Sequence, residues 1–160
     1  MRESVGTTTL FQIVLAFTLL FSAFLAVAIN YNKVFKLKNE TISIIEKYEG
    51  INDKSLEIIN NYLKNNGYNT KSKCGNNEYG VTNLERIDYE KAQTNKDYYY
   101  CLSAYCTYDK RNCQKGDKEI FYDVKLFFKF NLPLLGDFAT FKITGETKSI
   151  KLYTESQKLS

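Results

Sequence analysis

Four cysteines, Cys74, Cys101, Cys106 and Cys113, are the residues of this 160-residue chain best placed to form covalent bonds or to hold a metal. Their even number suits a disulfide framework built in an oxidising compartment. Zinc fits badly, because the spacings give no CxxC knuckle and the chain has no histidine to complete a mixed site. Cys101 and Cys106 fall on one predicted strand at opposite parity, so their side chains point to opposite faces and do not pair with each other. The favoured connectivity is Cys74–Cys101 with Cys106–Cys113, the second bridge closing the short loop TYDKRN at a strand end.

Other chemistry is sparse. The absence of histidine and tryptophan removes His-based triads and imidazole acid–base catalysis. There is no Gly-rich phosphate loop, the carboxylates are scattered rather than paired, and the Asp and Asn positions lack EF-hand spacing. No catalytic, cofactor-binding or metal site is expected, and the chain is not read as an enzyme. With 22 basic and 18 acidic residues interspersed, the net charge of +4 gives no case for nucleic acid. The run Tyr98-Tyr99-Tyr100, with Tyr105 and Tyr108, resembles a stacking platform, but basic partners are missing from it. It is read instead as strand tyrosines alternating between core edge and solvent. The sequon Asn39-Glu40-Thr41 falls inside a predicted helix near the bilayer and is read as chance.

The elements that must position these residues begin with a membrane segment. Leu10 to Ile29 carries no charge, Gly or Pro, and roughly 20 helical residues at about 1.5 Å each span a hydrocarbon core of about 30 Å. A cleaved signal is the competing reading, since Ala26-Val27-Ala28 has the small-x-small pattern, but the apolar run exceeds a signal core and Arg2 alone forms its basic flank. The helix is expected to continue to about residue 49. Val34, Leu37, Thr41, Ile44, Ile45 and Tyr48 recur at helical spacing, opposite Lys33, Lys36, Asn39, Glu40 and Lys47. One helix of about 40 residues therefore passes from an apolar half into an amphipathic half that packs on a fold. The sequence divides into a short segment 1–9, the membrane helix 10–29 with its extension, and an α+β domain 50–160. Lys33, Lys36 and Lys38 follow the membrane segment, which by the positive-inside rule would hold the domain in the cytoplasm. The cysteines argue for export, and the domain is placed outside.

Asn52 or Asp53 is expected to cap a second helix, with Leu56, Ile59 and Leu63 on one face and Gly67 as its terminator. Residues 71–94 read as a surface loop with one short strand near Tyr79–Leu84. In Lys118–Phe130, Ile120, Tyr122, Val124, Leu126, Phe128 and Phe130 alternate with Asp123, Lys125 and Lys129, the pattern of a long strand. Its partner is Asp97–Tyr108, joined through Lys115-Gly116-Asp117. After a connection marked by Pro133 and Gly136, a last strand runs from about Phe138 to Tyr153. Its parity changes between Phe141 and Ile150, which predicts a bulge at Gly145. The expected architecture is a long helix across an antiparallel sheet of three or four strands.

The segment Gly6-Thr7-Thr8-Thr9-Leu10-Phe11-Gln12, the apolar-then-amphipathic helix and the small disulfide-bearing β domain together resemble the pilin-like proteins of type IV filament systems, nearest to the TadE-like minor pilins. Phe130-Asn131-Leu132-Pro133-Leu134 and the strand after it are also similar. The resemblance implies a pilin-like fold, a Gly preceding the helix at Gly6, and an assembly role for an early polar residue, where Gln12 stands in place of the family's Glu. Thr18 and Ser22 extend the polar positions available to neighbouring helices. It further implies a structural subunit whose partners are the lipid bilayer and other pilin-like or assembly-platform proteins, met through the N-terminal helix. The alternative is a single-pass binding or adhesion module that stays in the membrane.

Overall fold

The computed structural model describes the backbone of residues 2–106, 119–132 and 136–151 and the side chains of 8–106, 119–129 and 140–151. Helix α1 spans Arg2–Lys47, 46 residues. It starts well before Leu10, so from Arg2 onward the segment set apart as 1–9 is helical. No Gly or Pro interrupts the chain between Leu10 and Glu49, and the helix passes from its apolar to its amphipathic half without a break. It ends where Glu49 turns left-handed at φ 54°. There the Glu49 amide donates to the Glu46 carbonyl at 3.2 Å and the Gly50 amide to the Ile45 carbonyl at 2.9 Å, satisfying carbonyls that the helix end would orphan.

Helix α2, Asp53–Asn65, opens on a capping box: the Asn52 side chain accepts from the Ser55 amide, and the Asn52 amide donates to the Ser55 hydroxyl, both at 2.9 Å. Gly67 at φ 68° closes it, with the Tyr68 amide donating to the Leu63 carbonyl at 3.0 Å. Leu56, Ile59 and Leu63 form the buried face, as their spacing predicts.

The strands are β1 Tyr79–Asn83, β2 Asp88–Lys91, β3 Tyr100–Cys106, β4 Glu119–Leu132, β5 Gly136–Glu146 and β6 Ile150–Lys151. They form an antiparallel sheet in the order β2-β1-β3-β4-β5, with β6 also paired to β4. Six strands among the described residues replace the three or four expected. β2 arises inside the predicted loop, because the edge of β1 offers free backbone groups to a short segment, DYEK, that has no apolar alternation of its own. The last predicted strand is two. β5 pairs with β4 up to Glu146↔Asp123, and β6 resumes at Ile150↔Ile120, one residue out of register. That shift, across residues 147–149, accounts for the parity change assigned to Gly145. Gly145 does a different job: a Cβ there would lie 2.7 Å from Ile42 Cδ1 and 2.9 Å from the Lys38 side chain. The glycine lets α1 approach the sheet.

The core lies between the helices and the inner face of the sheet. Ile120, Tyr122, Val124, Leu126 and Phe128 of β4 meet Val34, Leu37, Ile44 and Ile45 of α1 and Leu56, Ile59 and Leu63 of α2. Each such aliphatic side chain contributes about 1.5–3 kcal/mol on burial. Lys38 joins this buried set, its ammonium 4.5 Å from the Phe35 ring centre, instead of facing solvent with Lys33 and Lys36. The tyrosine run is structural: Tyr100 is fully buried and its hydroxyl donates to Asn60 of α2 at 2.9 Å. Tyr68 acts similarly, accepting from the Phe127 amide and donating to the Tyr99 carbonyl, both at 2.8 Å, where β3 and β4 part. Tyr108, Cys113, the turn at Lys115-Gly116-Asp117, Pro133, Leu152 and Tyr153 lie outside the described residues.

Candidate functional site

The largest feature without a partner in the structure is the N-terminal half of α1. Leu10, Phe17, Leu20 and Phe24 are 65–72% exposed, and the most apolar window has a mean hydropathy of 2.4 with none of it buried. The helix is long and apolar enough to cross a membrane, and apolar around its whole circumference, which a water-facing helix is not. Its predicted assembly residues sit on this rod. Gln12 is exposed. The Thr18 hydroxyl donates to the Val14 carbonyl at 2.8 Å and the Ser22 hydroxyl to the Leu19 carbonyl at 2.9 Å. Both hydroxyls are thus satisfied within the helix, which leaves Gln12 as the side chain with most to gain from a neighbouring helix. Gly6 lies inside this helix, which starts at Arg2, and does not precede it as the resemblance implies.

Where the apolar half ends, aromatic rings gather. Tyr31 stands edge-on to Phe128 at 5.9 Å and stacks near Phe35 at 6.1 Å, and Phe128 stacks with Phe141 at 5.6 Å. Tyr31, Phe35 and Phe141 remain 41–45% exposed. Rings of this kind, half in apolar contact and half open, suit the boundary between hydrocarbon and headgroups.

A second cluster occupies the outer face of the sheet. Cys74 bonds to Cys101 with Cα atoms 5.7 Å apart, as the connectivity argument favours. Cys106 is disulfide-bonded too, and no free cysteine occurs among the described residues. Lys125, opposite Cys101 across the β3–β4 pair, forms an ion pair with Glu78, both side chains being at most 14% exposed. Cys74, Glu78 and Cys101 bring potential metal-ligand atoms within 4.8 Å of one another. The two sulfurs are committed to each other and the carboxylate to Lys125, so the set is used for structure. Asp123, two residues before Lys125 on the same face, has a buried Oδ1 with no hydrogen-bond partner among the described residues. No spacing in the sequence announces this group, since Glu78 and Lys125 are 47 residues apart.

Burial raises the Asp123 carboxyl above its ordinary value of 3.8, with Glu146 and Glu78 pushing the same way against Lys125 and a hydrogen bond from the Gly145 backbone. The folded chain therefore holds this proton more tightly than the unfolded chain. Stability from this group is fully present below 3.8 and is lost as pH rises through the folded value. Asp123→Asn is expected to raise the thermal midpoint at neutral pH, with its advantage over the native chain shrinking as pH falls towards about 4. Melting curves of both proteins across that range test this. A gap that does not change with pH would show that the carboxylate charge is not the cause.

No protein-family model, curated protein or solved structure matches the chain.

Proposed function

We propose that this protein is a membrane-anchored, pilin-like structural subunit of a type IV or tight-adherence-like filament, or of the platform that assembles one. The observation that carries the reading is the single 46-residue helix, exposed and apolar from Leu10 to Leu25 and packed on the sheet over its second half. An anchor that needed only to tether a domain would be followed by a flexible linker, whereas here any force or position applied to the rod reaches the fold directly. The apolar half rests in lipid and, in a filament, exchanges lipid contacts for contacts with neighbouring helices. Disulfide bonding supports an exported domain, because such bonds persist outside the cytoplasm. This role requires no active site, and it gives Gln12 the place of the early polar residue in such helices.

The test is shear fractionation of cells that make the natively expressed chain. The protein is expected in sheared surface filaments as well as in membranes, and Gln12→Leu is expected to reduce the sheared share while leaving the membrane share intact. Recovery only from membranes, with no sheared fraction from either chain, would leave a single-pass binding module as the better reading.

A further inference from the structure

Beside the aromatic cluster, a pocket of about 430 Å³ opens where α1, the loop after α2 and β4 converge. Its polar wall is formed by Asn30, Lys33, Asn69, Thr70 and Lys129, and Leu37 contributes to an apolar floor. No carboxylate among the described residues lines it. Neither lysine is ion-paired among the described residues. Lys33 comes four residues after Ile29 and so lies about 6 Å beyond the end of the apolar run. The headgroup layer adds about 5–8 Å to each side of the hydrocarbon core, so a helix that spans the bilayer places Lys33 at headgroup depth.

We infer that this pocket binds the phosphate group of an anionic phospholipid, with Lys33 and Lys129 on the phosphate oxygens and Asn30, Asn69 and Thr70 donating to the remaining ones. The inference rests on the membrane-spanning reading of α1 and adds a ligand to it. Lys33 of α1 and Lys129 of β4 both line a cavity of headgroup size, at the depth where headgroups are found. Ammonium groups suit phosphate as point charges, and the nearby Phe128 and Leu37 suit the glycerol and upper acyl carbons. The same site explains why lysines follow the apolar run on an exported domain: one of them is a ligand contact and Lys38 is buried under the sheet, so they do not report orientation alone.

The experiment is native mass spectrometry of the full chain in micelles holding equal amounts of phosphatidylglycerol and phosphatidylcholine. The native chain should retain phosphatidylglycerol in preference. Retention should fall about fivefold for Lys33→Gln or Lys129→Gln and about 25-fold for the double variant, from about 1 kcal/mol per lysine. Lys36→Gln, exposed on the same helix but outside the pocket, should behave as the native chain. Equal retention by the double variant, or no preference between the two lipids, would overturn the proposal. Inorganic phosphate and glycerophosphoglycerol are added as competitors. Displacement by either at millimolar concentration would assign the site to a free phosphate and overturn the lipid source. Failure of the membrane reading is separable, since the native chain and all variants would then wash off vesicles with carbonate alike.

Discussion

Replacing Cys74 and Cys101 together by alanine is expected to cost the fold about 3.5 kcal/mol, from the unfolded-chain entropy that a bridge of 27 residues' separation removes. Against a typical stability of about 5–15 kcal/mol this is a large share, and for a domain of this size it corresponds to roughly 10–15 °C in thermal midpoint. The loss is focused on one place. The bridge clips the segment after α2 to β3, and that segment reaches the sheet besides through the paired backbone of Ser72 and Tyr98, at 2.8 and 3.0 Å. Beyond it, Glu78 reaches Lys125. Without the bridge, Glu78 keeps the Ala92 amide on its carbonyl at 2.8 Å and the Gly75 amide on its carboxylate at 2.7 Å but sits on a looser segment, so Lys125 is left partly buried with a weakened partner, which adds to the cost. Circular dichroism of the full chain in detergent measures the midpoint, and hydrogen exchange at residues 72–78 locates the opening. A loss below about 1 kcal/mol would show that Ser72–Tyr98 pairing suffices to hold the segment.

What the sequence reveals and what it hides follow one physical rule: signals local in the chain are legible. The buried stripe of α1 was readable from Val34, Leu37, Thr41, Ile44 and Ile45, all buried, because helical periodicity needs only neighbours. The cap and terminator of α2 were readable for the same reason, Asn52 and Gly67 acting within four residues of themselves. The alternation of β4 fixed its inner face. β2 was illegible because its edge position makes no demand on side-chain pattern, only on backbone pairing. The site features were illegible because each is assembled from afar: the pocket joins α1, the loop after α2 and β4, and the Glu78–Lys125 pair crosses 47 residues. Gly145 shows a legible residue with the wrong cause. A glycine in a strand signals either a bulge or a close approach, and only the position of α1 decides between them.

The same distinction makes Gly80→Ala a far more damaging substitution than Gly145→Ala. A Cβ on Gly80 would lie 2.2, 2.3 and 2.7 Å from Cδ1, Cγ and Cε1 of Tyr98, where carbon atoms need about 3.5–4.0 Å. Either partner must move by more than about 1 Å, and neither is free to do so. Gly80 is held between two strands, paired with Glu90 of β2 and Cys101 of β3. The Tyr98 ring is fully buried; its hydroxyl donates to the Glu90 carboxylate at 2.9 Å and accepts from the Gln93 amide at 3.0 Å. Displacing the ring breaks those bonds, and displacing the strand breaks the ladder on both sides. Overpacking of about 1–3 kcal/mol together with lost hydrogen bonds of about 1 kcal/mol each gives an expected cost near 4 kcal/mol. Gly145→Ala meets only the tips of Ile42 and Lys38, which can rotate away, and is expected to cost far less. A double-mutant cycle isolates the cause. In a Tyr98→Ala background the ring is gone, and Gly80→Ala should then cost under about 1 kcal/mol; a full cost there would place the strain in the β1 backbone and exonerate Tyr98.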